Sequence, residues 1–368
     1  MFLKELHIYQ FKNIQELSLF FDNFLNFFCG SNGSGKTTIL DAIHYLSFTK
    51  SFINSADTEN ISYNKDFFKV TGKFLKNNFT EEYTCLVNRN GKKHFKYFQK
   101  DYTRLYEHIG KVPLIIISPY DHLFIIEGSE MRRKLIDSII SQFNEKYLLS
   151  LIEYNKVLKQ RNSLLKTEQD KNLIIELIEI YDEKLISNGN FIYEVRKKFT
   201  DKLSEEFIKF YNLLSNNQQE IATITYKSQL NDSDFKTLLK NNLEKDFQTQ
   251  YTNYGIHKDD LLFNLNNNPI KYFASQGQQK SFITSVKLSF INLFIENGLK
   301  PIILLDDIFD KLDDNRVHNM LKIIYNSKCQ SFITHTDKQK VVELLNYEKC
   351  NYSLFEISNG LSINHLSV

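Results

Sequence analysis

The chain has 368 residues, of which 42% are hydrophobic, so it can bury a core in one or two domains and is not wholly disordered. Its formal net charge at pH 7 is +2, which gives no global sign of a nucleic-acid partner. The four cysteines are scattered without a C-x-x-C pair, which excludes a cysteine metal site or disulfide framework and predicts reduced thiols in a cytoplasmic protein.

The N-terminal part of the chain predicts strands around a glycine-rich loop. Residues 3–9 and 17–21 alternate apolar and polar side chains, as half-buried strands do. Residues 24–29 (FLNFFC) read as a buried strand, and residues 36–46 have the apolar spacing of a helix. Between them, residues 30–37 (GSNGSGKT) match the phosphate-loop pattern G-x-x-x-x-G-K-[ST] at every required position.

A strand, a glycine loop and a helix in this order turn backbone N–H groups toward a phosphate, so we expect this segment to bind ATP. Lys36 should reach the β- and γ-phosphates and act in catalysis, and the Thr37 hydroxyl should ligate Mg²⁺. The alternative is a glycine-rich turn that merely precedes a helix. The residues expected to bind the nucleotide are Gly30, Ser31, Asn32, Gly33, Ser34, Gly35, Lys36, Thr37 and Thr38.

The middle of the chain changes from strands to helices. Residues 67–98 favour strands with a hairpin turn at an Asn-Gly pair, and residues 129–216 are strongly helical and contain no proline. This helical arm is too short for the long coiled coil of chromosome-maintenance ATPases. Residues 221–226 then favour a strand and residues 232–247 a helix.

Two carboxylates follow a late apolar run. Residues 302–305 predict a buried strand that ends at Asp306 and Asp307. A strand that ends in Asp suits a metal-bridging carboxylate, so we expect Asp306 to help hold Mg²⁺ and Asp307 to act as the catalytic base for the attacking water. The alternative is an acidic turn. Asp is shorter than Glu by one C–C bond, about 1.5 Å, which predicts slow hydrolysis.

These segments, together with SQGQQK at 275–280, resemble the ATP-binding-cassette ATPases, and the SxGQQ form resembles the RecF family of recombination mediators. Further landmarks of that family extend the resemblance over residues 4–337: GSEMRRKLID (128–137), LKQRNSLLK (158–166), YGIHKDDL (254–261) and FITHTD (332–337). No metal-contacting Gln is present in residues 112–121, and the tail after residue 337 is uninformative.

The resemblance implies an α/β fold, in which an ATP-binding-cassette P-loop ATPase head is split in sequence by an inserted helical arm. The N-terminal part of the head would comprise residues 1–122, with the phosphate loop and a β-rich lobe. The arm would comprise residues 123–250, and residues 251–368 would complete the head.

The resemblance also implies an ATP-dependent homodimer. Ser275, Gly277 and Gln278 would contact the nucleotide held by the other protomer, since a turn before a helix presents N–H donors to an anion. His335 would sense the γ-phosphate in catalysis, the alternative being a surface-loop histidine. Residues 310–313 (DKLD) resemble a loop that crosses this interface, the alternative being a solvated helix start.

By resemblance, the partners are double-stranded DNA, single/double-strand junctions, RecR and RecO, and the activity is a weak, DNA-stimulated ATPase that promotes RecA loading. Four basic residues are candidate phosphate contacts: Arg132, Arg133, Lys159 and Arg161. The alternative for Arg132 and Arg133 is intramolecular ion pairing that braces the arm.

Three other functions fit a head of this class. A membrane transporter subunit is disfavoured by the SQGQQ signature and by Asp307, and the chain has no apolar run of about 18 residues. A chromosome-tethering scaffold would need a longer coiled coil. A nuclease would need a further acidic metal cluster.

Overall fold

The computed structural model describes residues 1–167, 171–215, 219–307, 314–348 and 351–367, so residues 310–313 and Cys350 lie outside it. The chain forms two compact units. Unit 1 contains residues 1–121 and 290–368, and unit 2 contains residues 122–289. The sequence analysis divided the chain into domains after residues 122 and 250. This division stays a prediction.

The first segment of unit 1 contains eight strands and one α-helix. They are β1 (Phe2–Phe11), β2 (Ile14–Phe20), β3 (Leu25–Cys29), α1 (Lys36–Phe48), β4 (Phe67–Lys76), β5 (Phe79–Asn88), β6 (Lys93–Tyr97), β7 (Lys100–Asp101) and β8 (Leu114–Ile117). Short 3₁₀ helices occupy Asp57–Asn60, Leu105–His108 and Pro119–His122.

Unit 2 is mainly helical. Its elements are α2 (Leu123–Ile126), α3 (Ser129–Phe143), α4 (Glu145–Leu164), α5 (Lys171–Leu214), β9 (Ala222–Lys227), α6 (Phe235–Asn241), α7 (Leu243–Thr249), β10 (Asp260–Leu265), β11 (Asn268–Pro269), α8 (Ile270–Phe273) and the start of α9 (Gln276–Glu296). Two 3₁₀ helices lie at Gln229–Asn231 and Ile256–Lys258.

The chain then completes unit 1. The remaining elements are β12 (Ile302–Leu305), α10 (Asp314–Ser327), β13 (Ser331–His335), α11 (Lys338–Glu348), β14 (Tyr352–Ser358) and β15 (Leu361–Ser367).

The central sheet of unit 1 has the order β15-β14-β3-β13-β12-β8. Its strands from β14 to β8 are parallel, and β15 pairs antiparallel with β14. Strands β3, β12 and β13 are buried along their whole length, as parallel strands covered on both faces are. Their carboxyl ends share one edge, so the residues after Cys29, Leu305 and His335 lie close together.

A second sheet of unit 1 is antiparallel, with the order β2-β1-β4-β5-β6-β7. The predicted hairpin at Asn90-Gly91 joins β5 to β6, and Gly91 has the positive φ of 79° that such a turn requires. Helix α1 packs between the sheets, with Ile39 and Ile43 fully buried in one apolar core with Phe74 and Phe332. Cys29, Cys85 and Cys329 are buried free thiols, and burial raises the pKa of Cys29 to about 12.

Unit 2 confirms the predicted helical arm as α3, α4 and α5, which pack beside the sheet β11-β10-β9. Buried ion pairs join its elements. Arg196 lies 2.9 Å from Asp137 and 3.2 Å from Asp259. Among the described residues, no helix combines the length and the apolar character needed to span a membrane.

Candidate nucleotide-binding site

The predicted phosphate loop runs from the end of β3 to the start of α1. Backbone geometry explains two of its glycines. A Cβ atom on Gly30 would lie 2.2 Å from the carbonyl oxygen of Ile357, so no larger residue fits there. Gly35, which precedes α1, has a φ of 111°, a left-handed conformation that L side chains rarely adopt.

Lys36 folds back over the loop. Its ammonium donates to the carbonyl oxygens of Gly30 at 2.7 Å and Ser31 at 3.0 Å, and the residue is only 4% exposed. The positive charge is therefore held inside the curve of the loop, which is where a phosphate would lie.

The Thr37 side chain contacts Asp306, the carboxylate that directly follows β12. The Thr37 hydroxyl donates to Asp306 Oδ1 at 2.8 Å, and Thr334 at the end of β13 donates to the same oxygen at 3.0 Å. Burial raises the pKa of Asp306, and these two hydrogen bonds oppose that effect. The structure thus brings a hydroxyl and a buried carboxylate together, the hard oxygen donors that Mg²⁺ prefers.

Asp307 has an unusual backbone conformation. Its φ is 43°, and its N–H donates to the Thr334 hydroxyl at 2.8 Å. Left-handed non-glycine residues persist only where the surroundings fix them, and many lie at functional sites. The Thr334 hydroxyl also lies 3.3 Å from Asp307 Oδ1, and Asp307 lines the cavity beside the phosphate loop.

That cavity has a volume of about 270 Å³. The residues that line it are Lys12, Asn13, Asn32, Gly33, Gly35, Lys36, Thr37, Thr38 and Asp307. Most belong to the predicted phosphate loop, and one is the predicted base. An open site with two lysines, backbone N–H groups and a helix N-terminus suits a polyphosphate.

Lys12 and Asn13, in the turn between β1 and β2, were missed by the sequence analysis. The Asn13 amide donates to Gly33 O at 3.0 Å and accepts from the Thr38 hydroxyl at 2.6 Å, so it joins the middle of the loop to the first turn of α1. Lys12 is held at the cavity by an ion pair of 2.6 Å with the fully buried Asp41. The turn carries no motif that would have identified either residue.

The C-terminal tail, which carried no sequence signal, also contacts the loop. The Gly360 N–H, in the turn between β14 and β15, donates to Ser34 O at 2.8 Å. The β14–β15 hairpin therefore supports the phosphate loop from the side of Gly35.

His335 is the last residue of β13 and is 2% exposed, so the alternative of a surface-loop histidine is wrong. Its Nδ1 accepts from the Asp337 N–H at 2.8 Å, and its carbonyl accepts from the Gly30 N–H at 3.3 Å. The backbone of His335 thus lies at the first residue of the phosphate loop.

In unit 2, the predicted signature begins helix α9 with a capping box. Ser275 N–H donates to Gln278 Oε1 at 2.7 Å, and Gln278 N–H donates to Ser275 Oγ at 3.3 Å. The Gln278 amide also donates to Glu220 at 2.9 Å. Ser275 and Gly277 are exposed, so the positive end of this helix faces solvent.

Comparison with known proteins identifies the family. An AAA-domain family model matches residues 5–246. The DNA replication and repair protein RecF of Flavobacterium johnsoniae is 41% identical over 364 residues, which cover 97% of this chain and all of that protein. The chain belongs to the RecF family. A RecF protein of Bacteroides fragilis is 38% identical and covers 100% of this chain and 99% of its own length.

Solved RecF structures match the whole fold. The recombination mediator protein RecF with ATP, described as part of the RecFOR pathway, has a TM-score of 0.87 at 32% identity, covering 100% of this chain and 97% of that one. The form with ATPrS has a TM-score of 0.86 at 31% identity, and the match covers 99% of this chain and 98% of that one. A Pyrococcus furiosus Smc head domain, at 17% identity, 100% and 96% coverage and a TM-score of 0.58, shares the fold alone.

In this RecF-family chain, Arg161 is not a DNA contact. Its side chain is fully buried, and its guanidinium pairs with Asp182 at 2.6 Å and Asp246 at 2.7 Å. Arg161 was a candidate phosphate contact because the family resemblance implies a DNA site. Its ion-pair partners lie 21 and 85 residues away in sequence and were not recognised.

Arg132 fits the ion-pair alternative, because it makes a bidentate pair with Asp260 at 2.7 and 3.0 Å. Arg133 instead donates to the backbone carbonyl oxygen of Asp259 at 2.5 Å and to the Ser129 hydroxyl at 2.7 Å. Lys159, in contrast, is exposed on α4 and stays a candidate phosphate contact.

Proposed function

We propose that this chain is an ATP-gated DNA-binding protein of recombinational repair and replication. In this proposal, ATP joins two heads into a dimer that holds duplex DNA near single-strand gaps, and slow hydrolysis releases it. With RecO and RecR, the dimer promotes RecA loading. Full-length similarity to proteins named for DNA replication and repair, and to RecF structures with ATP in the RecFOR pathway, supports this function.

The observation that carries the proposal is the convergence of Lys36, Thr37 and Asp306 at one end of the parallel sheet. Lys36 would move from the loop carbonyls to the β- and γ-phosphates. Thr37 and Asp306 would hold Mg²⁺, and their oxygen donors suit that ion. When bound, Mg²⁺ would neutralise charge on the phosphate oxygens.

Asp307 would accept a proton from the attacking water. It lines the cavity, and the bond from its N–H to Thr334 fixes its backbone. Its side chain reaches about 1.5 Å less far than that of Glu. A displacement of that size can reduce a rate about 10²-fold, so the site suits a timed switch.

Each active site would be completed by the second protomer. The signature turn exposes Ser275 and Gly277 at the N-terminus of a 21-residue helix, where N–H groups and the helix dipole favour an anion. In a head-to-tail pair, Ser275, Gly277 and Gln278 of one chain would cap the γ-phosphate held by the other. The two-fold symmetry would close two such sites. His335 would sense the γ-phosphate from within its own head.

DNA binding would be tolerant of sequence, because the candidate contact is a surface lysine rather than a base-reading element. Lys159 is the remaining candidate of the four basic residues. Its contribution would depend on salt, since phosphate contacts release counterions.

The decisive experiment is a salt titration of binding to a gapped duplex, with and without ATP, for the wild type and for Ser275→Arg. ATP should increase the affinity and the sedimentation coefficient of the wild type together. Ser275→Arg should keep ATP binding but lose both effects. A wild type that stays monomeric with saturating ATP, Mg²⁺ and DNA would refute the proposal.

A further inference from the structure

The side chain of Gln278, in the signature at residues 275–280, is held at both ends of its amide group. Its carbonyl oxygen, Oε1, accepts from the Ser275 N–H at 2.7 Å, and its amide nitrogen, Nε2, donates to Glu220 Oε1 at 2.9 Å. In the proposed function, the same side chain has to contact the nucleotide of a second protomer. These two contacts therefore compete with that role.

Glu220 is itself anchored from the other side. This residue precedes β9 and is half-buried, and its second carboxylate oxygen, Oε2, accepts from the Tyr211 hydroxyl at 2.6 Å. Tyr211 lies in the last turn of α5 and is 1% exposed, with its ring centre 6.0 Å from that of Phe282 in α9. Hydrogen bonds to a carboxylate are stronger than those between neutral groups. The end of α5 thus holds Glu220 against the signature.

The cap of helix α9 does not depend on Glu220. In a capping box, two residues exchange hydrogen bonds and satisfy the first N–H groups of a helix. Ser275 and Gln278 make both of these bonds, at 2.7 and 3.3 Å. Removing the carboxylate of Glu220 should therefore leave α9 folded and give the Gln278 side chain more freedom.

The charge of Glu220 also matters for a phosphate at this helix. The N-terminus of a helix carries a partial positive charge and favours nearby anions. Gln278 lies in the first turn of the 21-residue helix α9, so the carboxylate bonded to it already supplies a negative charge at this end. A γ-phosphate that a second protomer brings to Ser275 would be a further anion there, and the two would repel each other.

We propose that Glu220 is a positioning residue that restrains the signature and weakens ATP-dependent dimerisation. It acts through Gln278, whose side chain it holds on the Ser275 N–H, and through its negative charge beside the place where the γ-phosphate would bind. The inference rests on the proposed function, because it concerns the same composite site. It adds a residue of the signature's own chain that sets how tightly two heads pair.

The test compares the wild type with Glu220→Gln and Glu220→Ala. Glu220→Gln removes the charge and keeps an oxygen that can accept from Gln278, whereas Glu220→Ala removes both. Sedimentation equilibrium with Mg²⁺ and a non-hydrolysable ATP analogue gives the dissociation constant of the dimer. It should fall at least threefold in Glu220→Gln and at least tenfold in Glu220→Ala, while nucleotide affinity at low protein concentration stays unchanged.

Two further measurements distinguish a restraint from a contact that only supports the fold. In nucleotide-free Glu220→Ala, the Ser275 amide should exchange its hydrogen faster than in the wild type, because Gln278 leaves it more often. The gain in dimer affinity of Glu220→Gln should shrink between about 0.1 and 1 M KCl, since the Debye length falls from about 10 to 3 Å. Glu194→Gln, which removes one exposed charge from α5, should behave as the wild type in both.

The outcomes separate this inference from the proposed function. If the wild type dimerises but Glu220→Ala pairs equally or more weakly, the inference is overturned and the proposed function stands. An unchanged exchange rate at Ser275 would overturn the inference as well. Dimers that form in Glu220→Ala alone would support the restraint. If the wild type and both Glu220 variants all stay monomeric, both proposals are overturned.

Discussion

The Thr37 hydroxyl donates a hydrogen bond of 2.8 Å to Asp306, although the two residues are 269 positions apart. This bond connects the first turn of α1 to the end of β12. Both side chains are expected to hold the same metal ion, and the bond places them beside each other before any ligand arrives. Arranging ligands in advance lowers the entropic cost of binding.

Thr37→Val tests this arrangement, because it keeps the shape of the side chain and removes the hydroxyl. We expect ATP affinity in the presence of Mg²⁺ to fall at least tenfold, while affinity without Mg²⁺ changes little. Isothermal titration with and without the metal measures both. Equal losses under the two conditions would mean that Thr37 contacts the nucleotide rather than the ion.

Asp307→Asn should keep ATP binding and reduce hydrolysis by about 10²-fold or more, since an amide cannot accept the proton of the attacking water. The ATP dimer should then persist. Sedimentation velocity after ATP addition gives the lifetime of the dimer, and Lys36→Ala serves as the control that loses ATP binding. Only monomers in Asp307→Asn with ATP would argue against Asp307 as the base.

Asp306→Asn should bind ATP–Mg²⁺ poorly and yet stabilise the nucleotide-free protein. Burial raises the pKa of Asp306, so the folded state holds the proton more tightly than the unfolded state does. The cost of the charged form is therefore present above the raised pKa and disappears as the pH falls toward the ordinary value of about 3.9.

The gain in unfolding free energy should be larger at pH 7 than at pH 4. Denaturant unfolding at several pH values measures it. A variant less stable than the wild type at pH 7 would show that the hydrogen bonds from Thr37 and Thr334 outweigh the burial of the charge.

Local patterns in the sequence predicted the phosphate loop, the buried strand before Asp306 and the helical arm, because each depends on residues close together in the chain. The contacts of Asn13 and Gly360 with the loop could not be predicted in this way. They join segments distant in sequence through backbone carbonyls, which any residue could supply. The burial of Arg161 was missed because Asp246, its partner, lies 85 residues away.

Arg161→Met should therefore destabilise the protein rather than weaken a DNA contact. Removing one member of a buried ion pair leaves the carboxylates of Asp182 and Asp246 uncompensated, which costs about 3–5 kcal/mol. Lys159→Glu, on the exposed face of α4, should change stability by less than about 0.5 kcal/mol. Lys159→Glu should instead weaken DNA binding and reduce its salt dependence. Similar stability losses in the two variants would contradict this assignment.

His108 should make the stability of the protein depend on pH. The ring is fully buried, its Nε2 lies 2.7 Å from Leu46 O, and burial lowers its pKa from 6.5 to about 4. Between these values the unfolded state binds a proton and the folded state does not, so stability is lost as the pH falls. The loss is about 1.4 kcal/mol per pH unit, or roughly 3 kcal/mol in all.

His108→Gln removes this titration and can still donate to Leu46 O, so its unfolding free energy should fall less steeply between pH 6.5 and 4.5. His257, whose pKa burial also lowers to about 4, contributes a similar slope from unit 2. In the double variant with His257→Gln, the slope of unfolding free energy against pH should decrease by about twice as much, because distant sites act additively. If denaturant unfolding of His108→Gln keeps the wild-type slope, the buried ring already carries its proton in the folded protein.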